Sequence, residues 1–189
     1  MIEDKIVLDK GVSSGIGRET AQLLAERGAR VFGTVRDFRR NGNLPEVELV
    51  HTDLTDDASV REGVKSVFEK AGKIDIVINN ADYGLTGALE ETSVEEAQQQ
   101  IDTNFFGALR VTQAVLPAMR PQRSGCIVNI SSALGFLPAT FMGIYGTSKY
   151  ALEGYTKTLD HEVRIFGIRA ILVERVFTKT AIGKKKKVA

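Results

Sequence analysis

KIVLDKGVSSGIGRETAQLLAERG, residues 5–28, is the stretch that decides the fold. Residues 5–9 (KIVLD) read as a short, apolar, buried strand. The segment after Gly17 reads as a helix, with Ala21, Leu24 and Ala25 on one face and Gly28 as its stop. Between them lies Gly11-Val12-Ser13-Ser14-Gly15-Ile16-Gly17. Glycines permit tight turning and close approach of backbone to a ligand, and free N–H groups at a helix start face an anion. Strand, glycine-rich turn and helix in this order make a phosphate-binding unit.

Outward from that unit the alternation continues. Arg30–Val35 (RVFGTV) reads as a second strand ending at Arg36-Asp37, with Arg39 and Arg40 close by. In dinucleotide-binding folds an acid here takes the ribose hydroxyls, whereas an arginine accommodates a 2′-phosphate. Arg36 comes first, which favours NADP(H) over NAD(H). Val47–Thr52 reads as a third strand, followed by Asp53-Leu54 and a helix over about residues 58–71 capped by Asp56 or Asp57. Ile74–Ile78 is a fourth strand, ending in Asn79-Asn80-Ala81. Thr92 or Ser93 caps the next helix, which carries Asn104 and runs on through RVTQAVLPAM. Cys126–Ile130 and Ile168–Val173 supply the fifth and sixth strands. Six strands alternating with helices predict an α/β protein with a Rossmann-type, doubly wound parallel sheet in the order 3-2-1-4-5-6.

The second informative stretch is GCIVNISSALGFLPATFMGIYGTSKYALEG, residues 125–154. Its strand ends in Ser131-Ser132, and Lys149 follows Tyr145 by four residues, so a helix starting near Tyr145 sets phenol and ammonium side by side. A neighbouring cation lowers a tyrosine pKa, and a tyrosine so tuned can act as a general acid or base. Ser132 is placed to hold a substrate oxygen. A Tyr-x-x-x-Lys pair taken alone is more often a surface pair worth a few tenths of a kcal/mol.

Composition bounds the alternatives. The chain has 189 residues, 43% apolar and 26% charged, as expected of one globular domain over 1–189. No apolar run reaches membrane-spanning length. The first residues do not resemble a secretory signal, and the single cysteine, Cys126, reads as a buried, inert thiol. A reducing, cytoplasmic location is the expectation. Net charge is +1, but Lys184–Lys187 in the basic tail (183–189) supply four positive charges, so the rest carries −3. That balance argues against nucleic acid as a partner. The tail reads either as a solvated terminus or as a polyanion-binding or localisation signal. His51 and His161 have no clustered partners, and no metal site is expected.

Taken together, G-V-S-S-G-I-G at 11–17, Asp53-Leu54, N-N-A at 79–81, Asn104, the N-I-S-S ending at Ser132 and Tyr145-x-x-x-Lys149 resemble the short-chain dehydrogenase/reductase family over about residues 4–182. Phrases such as TVRD, NFFG and ALEG look most like its branch acting on hydroxysteroids, retinoids and other hydrophobic alcohols or ketones. The resemblance implies catalytic roles for Asn104, Ser132, Tyr145 and Lys149. Tyr145 would be the acid/base, Lys149 would lower its pKa and bind the nicotinamide ribose, and Ser132 would hydrogen-bond the substrate oxygen. Asn104 would hold a water in a proton relay. It also implies a cofactor site made of Gly11, Ser13, Ser14, Gly15, Ile16, Gly17, Arg36, Asp53, Leu54, Asn80, Ala81, Tyr145, Lys149 and Thr180. Leu134, Phe136, Leu137, Phe141 and Met142 suggest an apolar substrate. Related proteins pair through the helices carrying Asn104 and Tyr145, which implies a homodimer or homotetramer.

Four departures stand against the family pattern. Lys10 replaces a threonine, Asp82 replaces the glycine after N-N-A, and Arg175-Val176 replace a proline-glycine pair. The sequence ends at IGKKKKVA, where family members continue through a substrate-covering segment and a further strand. The expectation is therefore an NADP(H)-dependent oxidoreductase. Its competitors are a catalytically silent nucleotide-binding relative and an altered or truncated form of an active enzyme.

Overall fold

The computed structural model describes residues 2–40 and 44–176. Six strands, β1 (Ile6–Lys10), β2 (Arg30–Val35), β3 (Val47–His51), β4 (Ile76–Asn79), β5 (Gly125–Ser132) and β6 (Ile168–Arg175), form one parallel sheet in the order β3-β2-β1-β4-β5-β6. The helices are α1 (Gly15–Glu26), α2 (Asp57–Ala71), α3 (Val94–Ile101), α4 (Gly107–Gln122) and α5 (Gly143–Val163). The expected order and alternation are both present. β5 and β6 each run two residues past their expected ends, which brings Ser132 and Arg175 level in the register.

Local chemistry explains the boundaries. Asp56 accepts from the Ser59 amide at 2.7 Å to start α2, and Gly72 in the left-handed region ends it. Ser93 and Glu96 close a reciprocal capping box at α3. The sequence predicts one helix running through Asn104, but the chain widens there into a π-turn over Asp102–Phe106 before α4 begins. Such one-turn expansions re-aim a side chain without breaking the rod.

The core fills both faces of the sheet, as continuous apolar strands of a parallel sheet require. Leu8, Phe32, Val77 and Ile127 pack on one face against α2 and α4; Val7, Val31, Ile78 and Ile130 pack on the other with Ala21 of α1. Asp9 stands out in this setting. It lies mid-sheet in β1, its register partners are Gly33 and Ile78, and its side chain is fully buried with neither oxygen hydrogen-bonded. Burial pushes its carboxyl well above the ordinary range.

Candidate active site

The strand order reverses between β1 and β4, and in open α/β sheets ligands bind beyond the carboxyl ends of the strands at that point. A cleft of about 210 Å³ opens there. Its lining includes Gly11, Ser13, Ser14, Gly15 and Ile16 from the turn, Arg36, Asp53 and Leu54 from the ends of β2 and β3, and Asn80 and Ala81 after β4. Ten of the residues expected to bind a cofactor thus share one cavity. Thr34, Val35, Thr52, Thr55, Tyr83 and Thr103 also line it and carried no sequence signal. Thr180 and the basic tail lie outside the described residues.

The turn is built for close approach. Gly11 has φ +105°, and a Cβ there would fall 2.7 Å from Ala81 Cα. Gly17 sits buried inside α1, where a Cβ would meet the Gly11 carbonyl oxygen at 2.4 Å. Ser14, the residue before α1, makes no side-chain cap, and no acid occupies the first turn. The helix start therefore presents its N–H groups and its positive end to the cleft without competition from a side chain. Asp53 is turned inward on itself: its carboxylate accepts from the Thr55 amide at 2.9 Å and the Thr55 hydroxyl at 2.8 Å, which lowers its pKa. Arg36 stands exposed on the rim. The tight glycine cradle and the free helix start fit the phosphates of a dinucleotide.

Beyond the glycine turn the four expected catalytic residues come together. Ser132 ends β5, and its hydroxyl accepts from the Leu134 amide at 3.2 Å. Tyr145 and Lys149 lie one turn apart on the buried side of α5. The Lys149 ammonium is fully buried and donates to the Ile130 carbonyl at 2.8 Å. Asn104 projects from the π-turn; its amide accepts from the Tyr83 N–H at 3.1 Å and donates to the Tyr83 carbonyl at 2.9 Å and to Ser148 Oγ at 3.1 Å. Its side chain therefore pins the segment after Ala81 to α5.

Two of the departures from the family pattern meet at the same point. Asp82 accepts from Lys149 Nζ at 2.6 Å and from Arg175 Nη2 at 2.8 Å and 3.0 Å, one distance to each carboxylate oxygen. The Tyr145 hydroxyl lies 3.4 Å from Asp82 Oδ2 and 3.5 Å from Arg175 Nη2. Burial alone would raise the Asp82 pKa, but the two cations overturn that and hold it below the ordinary range. The expected effect of Lys149 on Tyr145 is corrected here. Burial first, and the Asp82 carboxylate second, push the phenol up to about 12 rather than down. Lys149 faces Asp82, and its own pKa falls through burial despite that partner. Lys10, the third departure, is buried beneath the cleft against the start of α4, and burial with Lys149 nearby lowers it to about 7.

A glycine cradle leading to a serine, a tyrosine and a lysine on successive elements defines a dinucleotide-dependent class of fold and site. The profile of the short chain dehydrogenase family matches residues 5–188, and the chain belongs to that family. It is 42% identical over 173 residues to a 3-ketodihydrosphingosine reductase of Bacteroides thetaiotaomicron, covering 92% of this chain and 64% of that protein. It is 37% identical over 182 residues to retinol dehydrogenase 8 of Bos taurus, covering 90% of this chain and 58% of that one. The chain therefore spans less than two thirds of the length of either relative. Among solved structures it superposes on a 3-ketoacyl-(acyl-carrier-protein) reductase from Brucella melitensis complexed with NADH. The TM-score is 0.92 at 26% identity, over 98% of this chain and 81% of that one. Among the described residues no helix is long and apolar enough to cross a membrane, and no group of three or more metal-ligating side chains occurs.

Proposed function

We propose that this chain carries the cofactor-binding and catalytic part of an oxidoreductase acting between NADP(H) and a hydrophobic ketone or secondary alcohol, with Tyr145 as acid/base. The observation that supports this best is the gathering of Ser132 at the end of β5 with Tyr145 and Lys149 on the buried side of α5, where Asp82 and Arg175 of the cleft lining reach the Tyr145 hydroxyl. NADP(H), when bound, supplies or accepts the hydride. In reduction Tyr145 gives its phenolic proton to the carbonyl oxygen, and Ser132 holds that oxygen as charge develops on it.

Arg36 on the rim supports the phosphorylated cofactor. One solved relative was captured with NADH, so the preference rests on this arginine and not on kinship. An apolar substrate is supported by exposed Phe136, Leu137 and Phe141 between β5 and α5, and by relatives named for 3-ketodihydrosphingosine and for retinol. A cytoplasmic protein that pairs through α4 and α5 completes this reading.

The test is fluorescence titration with NADPH and NADH, followed by turnover of hydrophobic ketones by the parent and by Tyr145→Phe. We expect tighter NADPH binding, and loss of turnover in the variant with cofactor binding kept. Turnover surviving in Tyr145→Phe would remove Tyr145 as the proton donor. A second reading, a nucleotide-binding relative without turnover, is favoured by one observation. Asp82 engages Lys149 and lies 3.4 Å from the Tyr145 hydroxyl, and burial and this carboxylate together raise the phenol pKa. NADPH binding without turnover of any ketone would select it.

A further inference from the structure

The cluster beside Tyr145 holds two strong cations, Lys149 and Arg175, and one carboxylate, Asp82. Asp82 and Lys149 are almost wholly buried there, and Arg175 is largely so. These charges come from three separate elements: the segment after β4, the middle of α5 and the end of β6. Lys149 is the cation next to Tyr145 along the chain, yet its ammonium makes no hydrogen bond to the phenol oxygen and is engaged elsewhere. Its Nζ lies over the ring face, 5.5 Å from the ring centroid, and is held by Asp82 Oδ2 and the Ile130 carbonyl. Arg175 is the cation whose nitrogen faces the oxygen itself, at 3.5 Å. Its level in the sheet, paired with Ser132, aims it there. The other charged groups nearby act on Lys149 and not directly on the phenol: Glu153 on α5 and Lys10 on β1.

We propose that Arg175 is the positioning residue that stabilises the Tyr145 phenolate, and that Asp82 sets how far it can do so. This deepens the reading of Tyr145 as acid/base and rests on it. When Tyr145 has given its proton to a carbonyl oxygen, the phenolate carries a full negative charge, and water restores the proton afterwards. The guanidinium 3.5 Å away is the cation placed to meet that charge. In the resting state the same guanidinium is engaged by the carboxylate of Asp82, which keeps the phenol protonated. Lys149 is left with a different part, anchoring Asp82 to the end of β5.

The experiment reads the phenol directly and needs no turnover. Tyrosinate ultraviolet absorbance is titrated from about pH 8 to about pH 11, a window around the ordinary tyrosine pKa. The contribution of Tyr145 is isolated by subtracting the same protein carrying Tyr145→Phe. Tyr145 should stay silent over this window in the parent. In Asp82→Asn it should ionise about 1–3 pH units lower, the usual effect of an unopposed neighbouring cation. Adding Arg175→Met should remove most of that shift, leaving only the part due to the lost carboxylate charge, and adding Arg175→Lys should keep most of it. Circular dichroism checks the fold of each variant, and Asp82→Gly serves as the background if the amide does not fit.

Two results overturn the proposal. One is a Tyr145 that does not move in Asp82→Asn. The other is a shift that survives Arg175→Met but is lost with Lys149→Met, which would return the role to the lysine. Absence of turnover with the titration shifts intact would count against the oxidoreductase reading alone.

Discussion

Replacing Asp9 by valine should make this protein more stable, because the carboxyl in β1 is a buried polar group with nothing to bond. Both oxygens are sealed from solvent and neither has a hydrogen-bond partner. Leaving a buried polar group unsatisfied costs about 1–3 kcal/mol by mutational data. Valine, branched at Cβ, suits a central strand, and its apolar burial in place of the carboxyl adds roughly 1 kcal/mol. The sum is roughly 2–4 kcal/mol. At this chain length each kcal/mol moves the melting temperature by about 2–4 °C, so a rise of roughly 4–16 °C is expected.

The pH dependence supplies a second readout with a definite sign. The folded carboxyl has its pKa raised by burial, so the fold holds that proton more tightly than the unfolded chain does. Its contribution is complete below the unfolded value of about 3.9 and is lost as pH rises through the folded value. Asp53, Asp75, Asp82 and Asp160 are shifted down and act in the opposite sense, but they cancel in a parent-minus-variant difference. The gain from Asp9→Val should therefore be larger at pH 8 than at pH 5. Differential scanning calorimetry at both values measures it. Asp9→Asn, which keeps an orphaned polar group but cannot ionise, should remove the pH dependence without the low-pH gain. An unchanged or lower melting temperature for Asp9→Val would mean that the carboxyl has a partner, and the reasoning fails.

Other perturbations read the cleft. Arg36→Ala should weaken NADPH binding by about 10- to 150-fold, the loss of one charged hydrogen bond of about 1.5–3 kcal/mol, and leave NADH binding unchanged; fluorescence titration with both cofactors decides. Gly17→Ala places a methyl 2.4 Å from the Gly11 carbonyl oxygen and 2.5 Å from Asn80 Nδ2. It should cost about 1–3 kcal/mol in urea unfolding and open the cradle, so that cofactor affinity falls as well. Asp82→Ala should cost more stability than Arg175→Met. The first strands two buried cations, at about 3–5 kcal/mol, whereas the second leaves Asp82 paired with Lys149; equal losses in urea unfolding would show that the two cations do not share one carboxylate.

The fold was legible because its signals are local. Apolar runs of strand length, the glycines of the turn and the caps at Asp56 and Ser93 each act within a few residues. The cleft at the switch point followed, since strand ends there must lie together. Other features were not legible. The π-turn at Asn104 leaves no mark in the periodicity of a helix only one residue wider there. Asp9 passes as the last residue of an apolar strand until β1 is seen flanked on both sides, which turns a strand end into the middle of a sheet. Tyr145-x-x-x-Lys149 set both side chains on one buried helix face but gave the wrong direction of pKa, because spacing along a helix does not say what else the lysine touches.

The same limit explains how Asp82 and Arg175 read from sequence. Each looks like an independent loss: an acid where the resemblance expects a glycine, and a basic residue where it expects a turn. They are 93 residues apart, and nothing along the chain connects them. Connecting them takes the register of β6 on β5, which sets Arg175 opposite Ser132, and the place of Asp82 after β4 on the far side of β5. Once they meet, each supplies what the other lacks. Asp82 alone would have to share Lys149 with whatever else that ammonium serves, and Arg175 alone would bury a guanidinium without a counter-charge, a costly state. Together they form a satisfied pair, placed within 3.5 Å of the Tyr145 hydroxyl. Two changes that each look disabling are therefore one change in the surroundings of Tyr145. Its consequence should be sought in the ionisation of Tyr145 before it is sought in a loss of fold.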